Sequence, residues 1–263
     1  MGLVFYNPTE EQCQKVEGYV QSGIFSKIII CDNSENALNR KFPECVKYHY
    51  MGYNSGLSIP YNKFIEVTAD DNADVLCIMD QDSDFRIDEI KKIVNYIEEN
   101  TDALNDVALV CPRTINSQHI DKIDSLSVEK EYVGWTINSG SFLILENIKK
   151  KNLSYDENVF LDGVDYDFCY NIKSKNLHIL RYNGALLIQP FGYSKKEKGG
   201  FDHHSASRYY NIAHNRKYIF RKYHGIKGFI FAILVNTRLA FRILFHEDNR
   251  VEKVIACLKG TFK

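Results

Sequence analysis

The chain has 263 residues, 44% of them hydrophobic, enough to bury a sizeable core as one large domain or as one domain with an appendage. A net charge of −1 supplies no global field for nucleic acid or any other polyanion. Seven cysteines, an odd number without CxxC or Cys/His clustering, read as reduced thiols of a cytosolic protein, and Cys31, Cys77 and Cys111, in or beside apolar runs, as small buried hydrophobes.

In chain order, the apolar run at 3–6 predicts a short first strand that passes straight into Tyr6-Asn7-Pro8, which is not the pattern of a signal peptide. The turn through Thr9 caps a helix beginning near Glu10. A second strand at 27–31 ends on Asp32-Asn33-Ser34, a third is predicted at 46–50, and the loop from Gly52 to Gly56 leads into a helix over 57–70. Then comes Val75-Leu-Cys-Ile-Met79, an unbroken apolar run typical of a strand buried on both faces, which stops on Asp80, Asp82 and Asp84. A helix over 88–99 follows, with Ile90, Ile93, Val94 and Ile97 on one face and Ser83 or Asp84 as its cap. This alternation predicts an α/β chain with a parallel sheet and crossover helices, built as a nucleotide-binding layer. The second half is less regular: strands at 107–111, 141–145, 177–181 and 185–188, a helix over 165–175, and a mainly helical tail from Ala206 with Gly225 and Gly228 as breaks. Only the stretch 228–245 raises the question of a membrane, and Asn236, Arg238 and Arg242 interrupt it, so it is not read as a spanning helix.

Three acidic sites carry chemistry. Asp80 and Asp82 fall just past a strand's carboxyl end, where open α/β sheets place ligands, and two carboxylates so close repel each other unless a cation lies between them. Mg²⁺ with a phosphorylated ligand answers that need, since it takes one or two carboxylates plus substrate phosphates. An EF-hand loop would share the Asp-x-Asp-x-Asp opening but requires Gly at Phe85 and Glu at Lys91. Asp32, at the end of a neighbouring strand, either accepts hydrogen bonds from a base or ribose or simply forms a turn. Asp165 lies at a helix start, where exposed N–H groups hold a carboxylate ionised and oriented, fit either for general-base work or for capping alone.

Tyr6-Asn7-Pro8, Asp32-Asn33-Ser34, Asn54-Ser-Gly56, Asp80-Gln-Asp-Ser83, Asn138-Ser-Gly-Ser141, Phe160-x-Asp-x-Val-Asp165 and Arg208-Tyr-Tyr210 occur in an order that resembles the family 2 glycosyltransferases of the GT-A fold, closest to their rhamnosyltransferase-like branch. The resemblance covers about residues 1–224. It implies a GT-A fold with a Rossmann-like nucleotide-binding half over about 1–112, an acceptor-binding half over 113–205, and a helical C-terminal extension over 206–263. It further implies an inverting, metal-dependent transfer of rhamnose or a hexose from dTDP-rhamnose or a UDP-hexose to a hydroxyl of a growing surface-polysaccharide glycan. Asp165 stands at the family's catalytic base, with Asp167 a second acidic position. Asp32 would contact the base. Asp80 and Asp82, with Gln189 in the place of a usual His, would hold Mg²⁺ or Mn²⁺. Tyr6, Asn7, Asn54, Gln81, Trp135, Ser139, Gly140, Arg208, His214 and Asn215 would border the donor.

The chain departs from the family pattern at Gln189, at His214 where Arg is usual, and at Asn171 where Arg is usual. The basic stretch Arg216, Lys217, Arg221, Lys222 and Lys227, interleaved with aromatics, reads as contact with a membrane surface carrying lipid-linked acceptors or as a solvated helix face. The implied location is the cytoplasm or the inner face of the cell membrane, with no nucleic-acid partner and room for an oligomer contact. Two other functions remain in view. A sugar-nucleotide nucleotidyltransferase would want a Gly-rich basic loop where Tyr6-Asn-Pro-Thr-Glu-Glu11 stands, and a degenerate glycan-binding protein would tolerate Gln189 and His214.

Overall fold

The computed structural model describes residues 1–71, 73–116, 129–189 and 204–262. These fall into two compact units, one of residues 1–155 with 168–189 and one of 156–167 with 204–262.

The first unit holds an eight-stranded sheet. Its strands are β1 (Gly2–Phe5), β2 (Ile28–Asp32), β3 (Val46–Tyr50), β4 (Val75–Asp80), β5 (Val107–Asn116), β6 (Lys130–Val133), β7 (Ser141–Ile144) and β8 (His178–Gln189), in the spatial order β3-β2-β1-β4-β7-β5-β8-β6. The parallel pairing read from the first half holds for β3, β2, β1 and β4, and again for β5 with β8. Strand β7, from the less regular half, enters antiparallel between β4 and β5, and β6 lies antiparallel on the edge of β8. The sheet is therefore mixed. Strand β6 was not anticipated, because Lys-Glu-Tyr-Val is charged and exposed; charge of this kind also blunts an edge against stray pairing.

The two strands expected at 177–181 and 185–188 are one strand. Tyr182 pairs with Pro112 and Leu186 with Arg113, so the residues between Tyr182 and Leu186 form a bulge that carries β8 past the break. The same bulge accommodates Pro112, which has no N–H to give to a ladder.

Among the described residues four α-helices precede the C-terminal region: α1 (Glu10–Ser22), α2 (Ser58–Asp70), α3 (Ile87–Glu99) and α4 (Leu145–Lys150); a fifth, α5 (Val164–Ser174), runs from the second unit into the first. Helix α1 starts in a capping box, with Thr9 Oγ1 accepting from Gln12 N and Gln12 Oε1 from Thr9 N. Helix α3 does not start as expected: its N-cap is Arg86, which makes no side-chain cap, while Asp84 is engaged through its backbone with Ile188. The core of this unit is a continuous cluster that includes Phe5, Ile28, Ile30, Met79, Ile90 and Phe142, all at most 1% exposed.

The second unit is helical. Helix α6 (Ala206–His246) is broken at Gly225, whose φ of 59° and ψ of −140° lie where L side chains are strained. Across that break the chain doubles back, bringing Phe231 against Phe220, Asn236 to Arg216 and Glu247 to Tyr209. The break expected at Gly228 is not one; Gly228 is helical and buried, packed so close to the Phe220 carbonyl that a Cβ would lie 2.1 Å from it. Helix α7 (Arg250–Phe262) completes a small core with Tyr209, Ala213, Ile243 and Cys257.

Candidate functional site

The acidic residues of the first unit meet at the carboxyl ends of its parallel strands. In the β1 register Phe5 pairs with Asp32 of β2 and Val4 with Asp80 of β4, so the two residues flank β1 with their backbones two strand spacings apart, about 10 Å. Chain order reverses here: β1 is followed by β2 on one side and has β4 on the other. A crevice at such a reversal is the usual ligand site of an open α/β sheet.

Asp32 is fully buried. Its Oδ1 accepts from the backbone N–H and hydroxyl of Ser34, and its Oδ2 from the Tyr48 hydroxyl at 2.6 Å. Burial, with the Asp32 hydrogen bond second, pushes the Tyr48 phenol up to about 12, so it remains a donor. A nucleotide base would reach Asp32 by exchanging one of these bonds. Asn33 ties the adjoining loop down: its Nδ2 donates to the Gly56 carbonyl at 2.6 Å and its Oδ1 accepts from Ser55 at 2.7 Å, while Asn54 Oδ1 accepts from Gly56 N.

The turn after β4 is held from both sides. Gln81 spans back to β1, its Oε1 accepting from Tyr6 N at 2.9 Å and its Nε2 donating to Tyr6 O at 3.2 Å, so its amide extends the strand pairing. Beneath the turn lies Ser139, 1% exposed, which accepts from Asp80 N at 3.0 Å and shares a 2.7 Å hydrogen bond with Ser83. Gly140, at φ 75°, donates to the Ile78 carbonyl; a Cβ there would stand 2.8 Å from Leu187. In this geometry Gln81, Ser139 and Gly140 shape the turn. Asp80 is half-buried, with Tyr61 donating to its Oδ1 at 3.2 Å, and Asp82 is exposed. Tyr6 is also exposed, and Asn7, at a left-handed φ of 47°, donates its N–H to Ser34. Trp135 is 53% exposed between β6 and β7.

A hard divalent cation fits this set of donors. Asp84 and Ile188 exchange backbone hydrogen bonds, which brings the end of β8 beside the acidic turn. Gln189, the next residue, has its Oε1 buried with no hydrogen-bond partner among the described residues. An oxygen acceptor without a donor, at the end of the strand bridged to the acidic turn, is what a cation would complete, and an all-oxygen set suits Mg²⁺ or Mn²⁺ better than zinc. Among the described residues no group of three His, Cys, Asp or Glu side chains is placed to hold a metal by itself, so phosphates would have to supply the remaining ligands.

In the second unit, the segment bearing Asp165 is fastened to α6. Arg208 Nε donates to Asp162 Oδ1 at 3.2 Å, and Asn215 Nδ2 to the Asp162 carbonyl at 2.8 Å, with His214 beside Asn215 and stacked on Tyr210. Lys222 donates to Asp156 Oδ2 at 2.7 Å and to Asp167 Oδ1 at 2.8 Å. Burial opposes ionisation of Asp156, but donors from Lys222, Tyr218 and Asn158 outweigh it and hold the carboxyl down at about 2. Asp167 is 1% exposed, and there burial prevails over Lys222 and raises its pKa. Asp165, in the first turn of α5, is only partly buried. Sequence reasoning gives no role to Tyr48, Tyr61 or Asp156, and it holds Asp162 only as part of the motif ending at Asp165. Lys222 reads as one of its basic neighbours, since nothing local marks which lysine of a run turns inward.

No family model matches the sequence. Among curated proteins it is similar to the dTDP-rhamnosyl transferase RfbF of Shigella flexneri, 24% identical over 260 residues that make up 89% of this chain and 85% of that protein. Among solved structures it is similar to S. aureus TarS 1–349 in complex with UDP, with a TM-score of 0.56 and 10% identity over 99% of this chain and 79% of that one. GalNAc-T7 with UDP, GalNAc and Mn²⁺ matches with a TM-score of 0.56 and 13% identity, covering 81% of this chain and 46% of that one. At such identities the structural likeness establishes the fold, and the fold is GT-A, with helices added at the C-terminus.

Proposed function

We propose that this glycosyltransferase of the GT-A fold, similar to family 2, moves a sugar from a nucleoside diphosphate donor to a hydroxyl of a growing surface-polysaccharide glycan, with inversion at the anomeric carbon. Rhamnose from dTDP-rhamnose, or a hexose from its UDP form, is the sugar. The observation that carries the reading is the placing of Asp32 and Asp80 at the ends of strands on either side of the strand-order reversal, with Asp82 in the turn that follows and, on the strand bridged to that turn, a buried acceptor on Gln189 that lacks a donor.

In this reading Asp80, Asp82 and Gln189 hold Mg²⁺ or Mn²⁺, which, when bound, neutralises charge on the departing diphosphate. Asp32 and the Asn54 loop receive the nucleoside. Tyr6, Asn7 and Trp135 border the donor, as do the turn residues Gln81, Ser139 and Gly140. Asp165 takes the proton of the incoming hydroxyl as that oxygen attacks opposite the leaving group. Asp167, locked to Lys222, is a positioning residue for Asp165, and Arg208 and Asn215 hold the same segment through Asp162, with His214 bonded to Asn215. The acceptor is lipid-linked, which places the enzyme in the cytoplasm or at the inner face of the membrane.

Incubating the chain with Mn²⁺ and a panel of nucleotide sugars tests this directly. Release of UDP or dTDP supports it, whereas pyrophosphate would indicate nucleotidyl transfer and no release a binding protein. Replacing Asp165 by Asn should lower turnover on the order of 10²–10⁴-fold while leaving donor affinity unchanged in calorimetry. Full turnover in that variant would remove Asp165 from the role.

A further inference from the structure

Helices α6 and α7 of the second unit each present an apolar stripe that the unit's own packing does not use. After the break at Gly225, the inner side of α6 is marked by Gly228, Ala232, Asn236, Ala240 and Ile243, spaced three or four apart and buried. The opposite side carries Ile226 at 70%, Leu234 at 63% and Phe245 at 74% exposure, with Ile230 and Phe241 between them at the same helical spacing. Helix α7 repeats the arrangement. Lys253, Cys257 and Gly260 face inward, while Val251, Ile255, Leu258 and Phe262 form an exposed stripe at spacings of four, three and four residues. Two stripes of large side chains on adjacent helices exceed the scattered exposure of an ordinary surface.

The charges around this face have one dominant sign. Between Gly225 and His246 the ionised side chains are Lys227, Arg238 and Arg242, all exposed, and there is no carboxylate; Arg250 and Lys259 add two exposed cations on α7, against the exposed carboxylates of Asp248 and Glu252. Of the basic stretch singled out in the sequence, Lys222 is spent on Asp156 and Asp167, and Arg216 bonds to Asn236 across the break in α6. The surface therefore rests on the stretch 228–245, which the sequence also offered for docking, and on α7, rather than on Arg216 and Lys222.

We infer that the exposed apolar stripes of α6 and α7, flanked by Lys227, Arg238, Arg242, Arg250 and Lys259, dock on an anionic lipid surface. Apolar side chains reaching the acyl boundary, with cations at headgroup level, are the two components of interfacial binding, and each is weak without the other. A protein partner buried by the same face would need carboxylates to answer those cations; a second copy would bring like charges instead. By length and composition α6 could also span a bilayer, but the chain doubles back at Gly225 and the polar pair Arg216–Asn236 closes the inner side, which favours lying on the surface. Docking would bring the enzyme to where lipid-linked acceptors are carried, a consequence that rests on the proposed reaction. Adhesion is measured without turnover, so either idea can fail alone.

The test is co-sedimentation of the whole chain with phosphatidylcholine vesicles, plain or containing about 30% phosphatidylglycerol, where the anionic set should bind at least about tenfold more tightly. Replacing Leu234, Phe241 and Phe245 with Ser, exposed changes that leave the inner packing intact, should remove binding to both. Arg238→Gln with Arg242→Gln should lose the preference for anionic vesicles. Equal or absent binding of the unaltered chain to the two vesicle types overturns the inference without reference to any variant. So does a dimer in sedimentation velocity that the Ser replacements convert to monomer.

Discussion

Lys222 serves two carboxylates in unequal surroundings. Asp167 has a side chain only 2% exposed, Asp156 one of 15%, and the lysine is 32% exposed. Removing the cation while keeping the stem, as in Lys222→Met, leaves Asp167 buried beside Asp156 with no counter-ion, and should cost about 1–3 kcal/mol in denaturant unfolding. The two carboxyls respond to acid in opposite senses. The pKa of Asp156 is depressed from 3.8 to about 2, so its stabilisation is complete above 3.8 and is lost as pH falls to about 2. Asp167 is raised, so what its protonation contributes is present in acid and is lost as pH rises through its elevated value. Asp156→Asn should therefore destabilise the chain near neutral pH, and the gap to the unaltered protein should close as pH is lowered towards 2. A gap that stayed constant across that range would show that the carboxylate is not what the fold uses.

At the scale of elements, the strands that carry the acidic site were legible because β1, β2 and β4 are unbroken apolar runs, the last two ending on carboxylates, a pattern that a strand buried on both faces imposes on sequence. Pairing direction leaves no such mark. The short apolar run of β7 reads the same whether parallel or antiparallel, so its insertion between β4 and β5 had no signal in the chain. That insertion matters to the site, because the loop into β7 supplies Ser139 and Gly140 under the acidic turn. The Asn138-Ser-Gly140 motif was visible; that it acts on the turn was not, since the contact spans 59 residues. Gly140→Ala would add a Cβ 2.8 Å from Leu187 at a backbone angle L residues avoid. A loss of about 1–3 kcal/mol is expected, from left-handed strain and overpacking together. If the turn is what aligns Asp80 and Asp82, the variant should also weaken nucleotide binding beyond its loss of stability, read by calorimetry at a temperature where it remains folded.

For the molecule as a whole, the proposed division of labour separates binding from chemistry, and thermal unfolding can detect that separation without a known acceptor. A ligand that binds only the folded chain stabilises it by mass action, about 2.7 kcal/mol at a hundredfold excess over its dissociation constant. For a chain of this length that corresponds to a rise of about 5 °C or more in melting temperature. UDP or dTDP with Mn²⁺ should produce such a shift, and the nucleotide with a chelator a much smaller one, because the two carboxylates then face the diphosphate without a cation between them. Asp82→Asn should lose the part that depends on Mn²⁺ while keeping the small remainder. Asp165→Asn should shift as fully as the unaltered chain. A shift unaffected by chelator would mean that Asp80, Asp82 and Gln189 bind no cation of consequence and that the buried oxygen of Gln189 has another purpose. A shift lost in Asp165→Asn would move that residue from acid–base work to donor binding, leaving the base to be sought elsewhere.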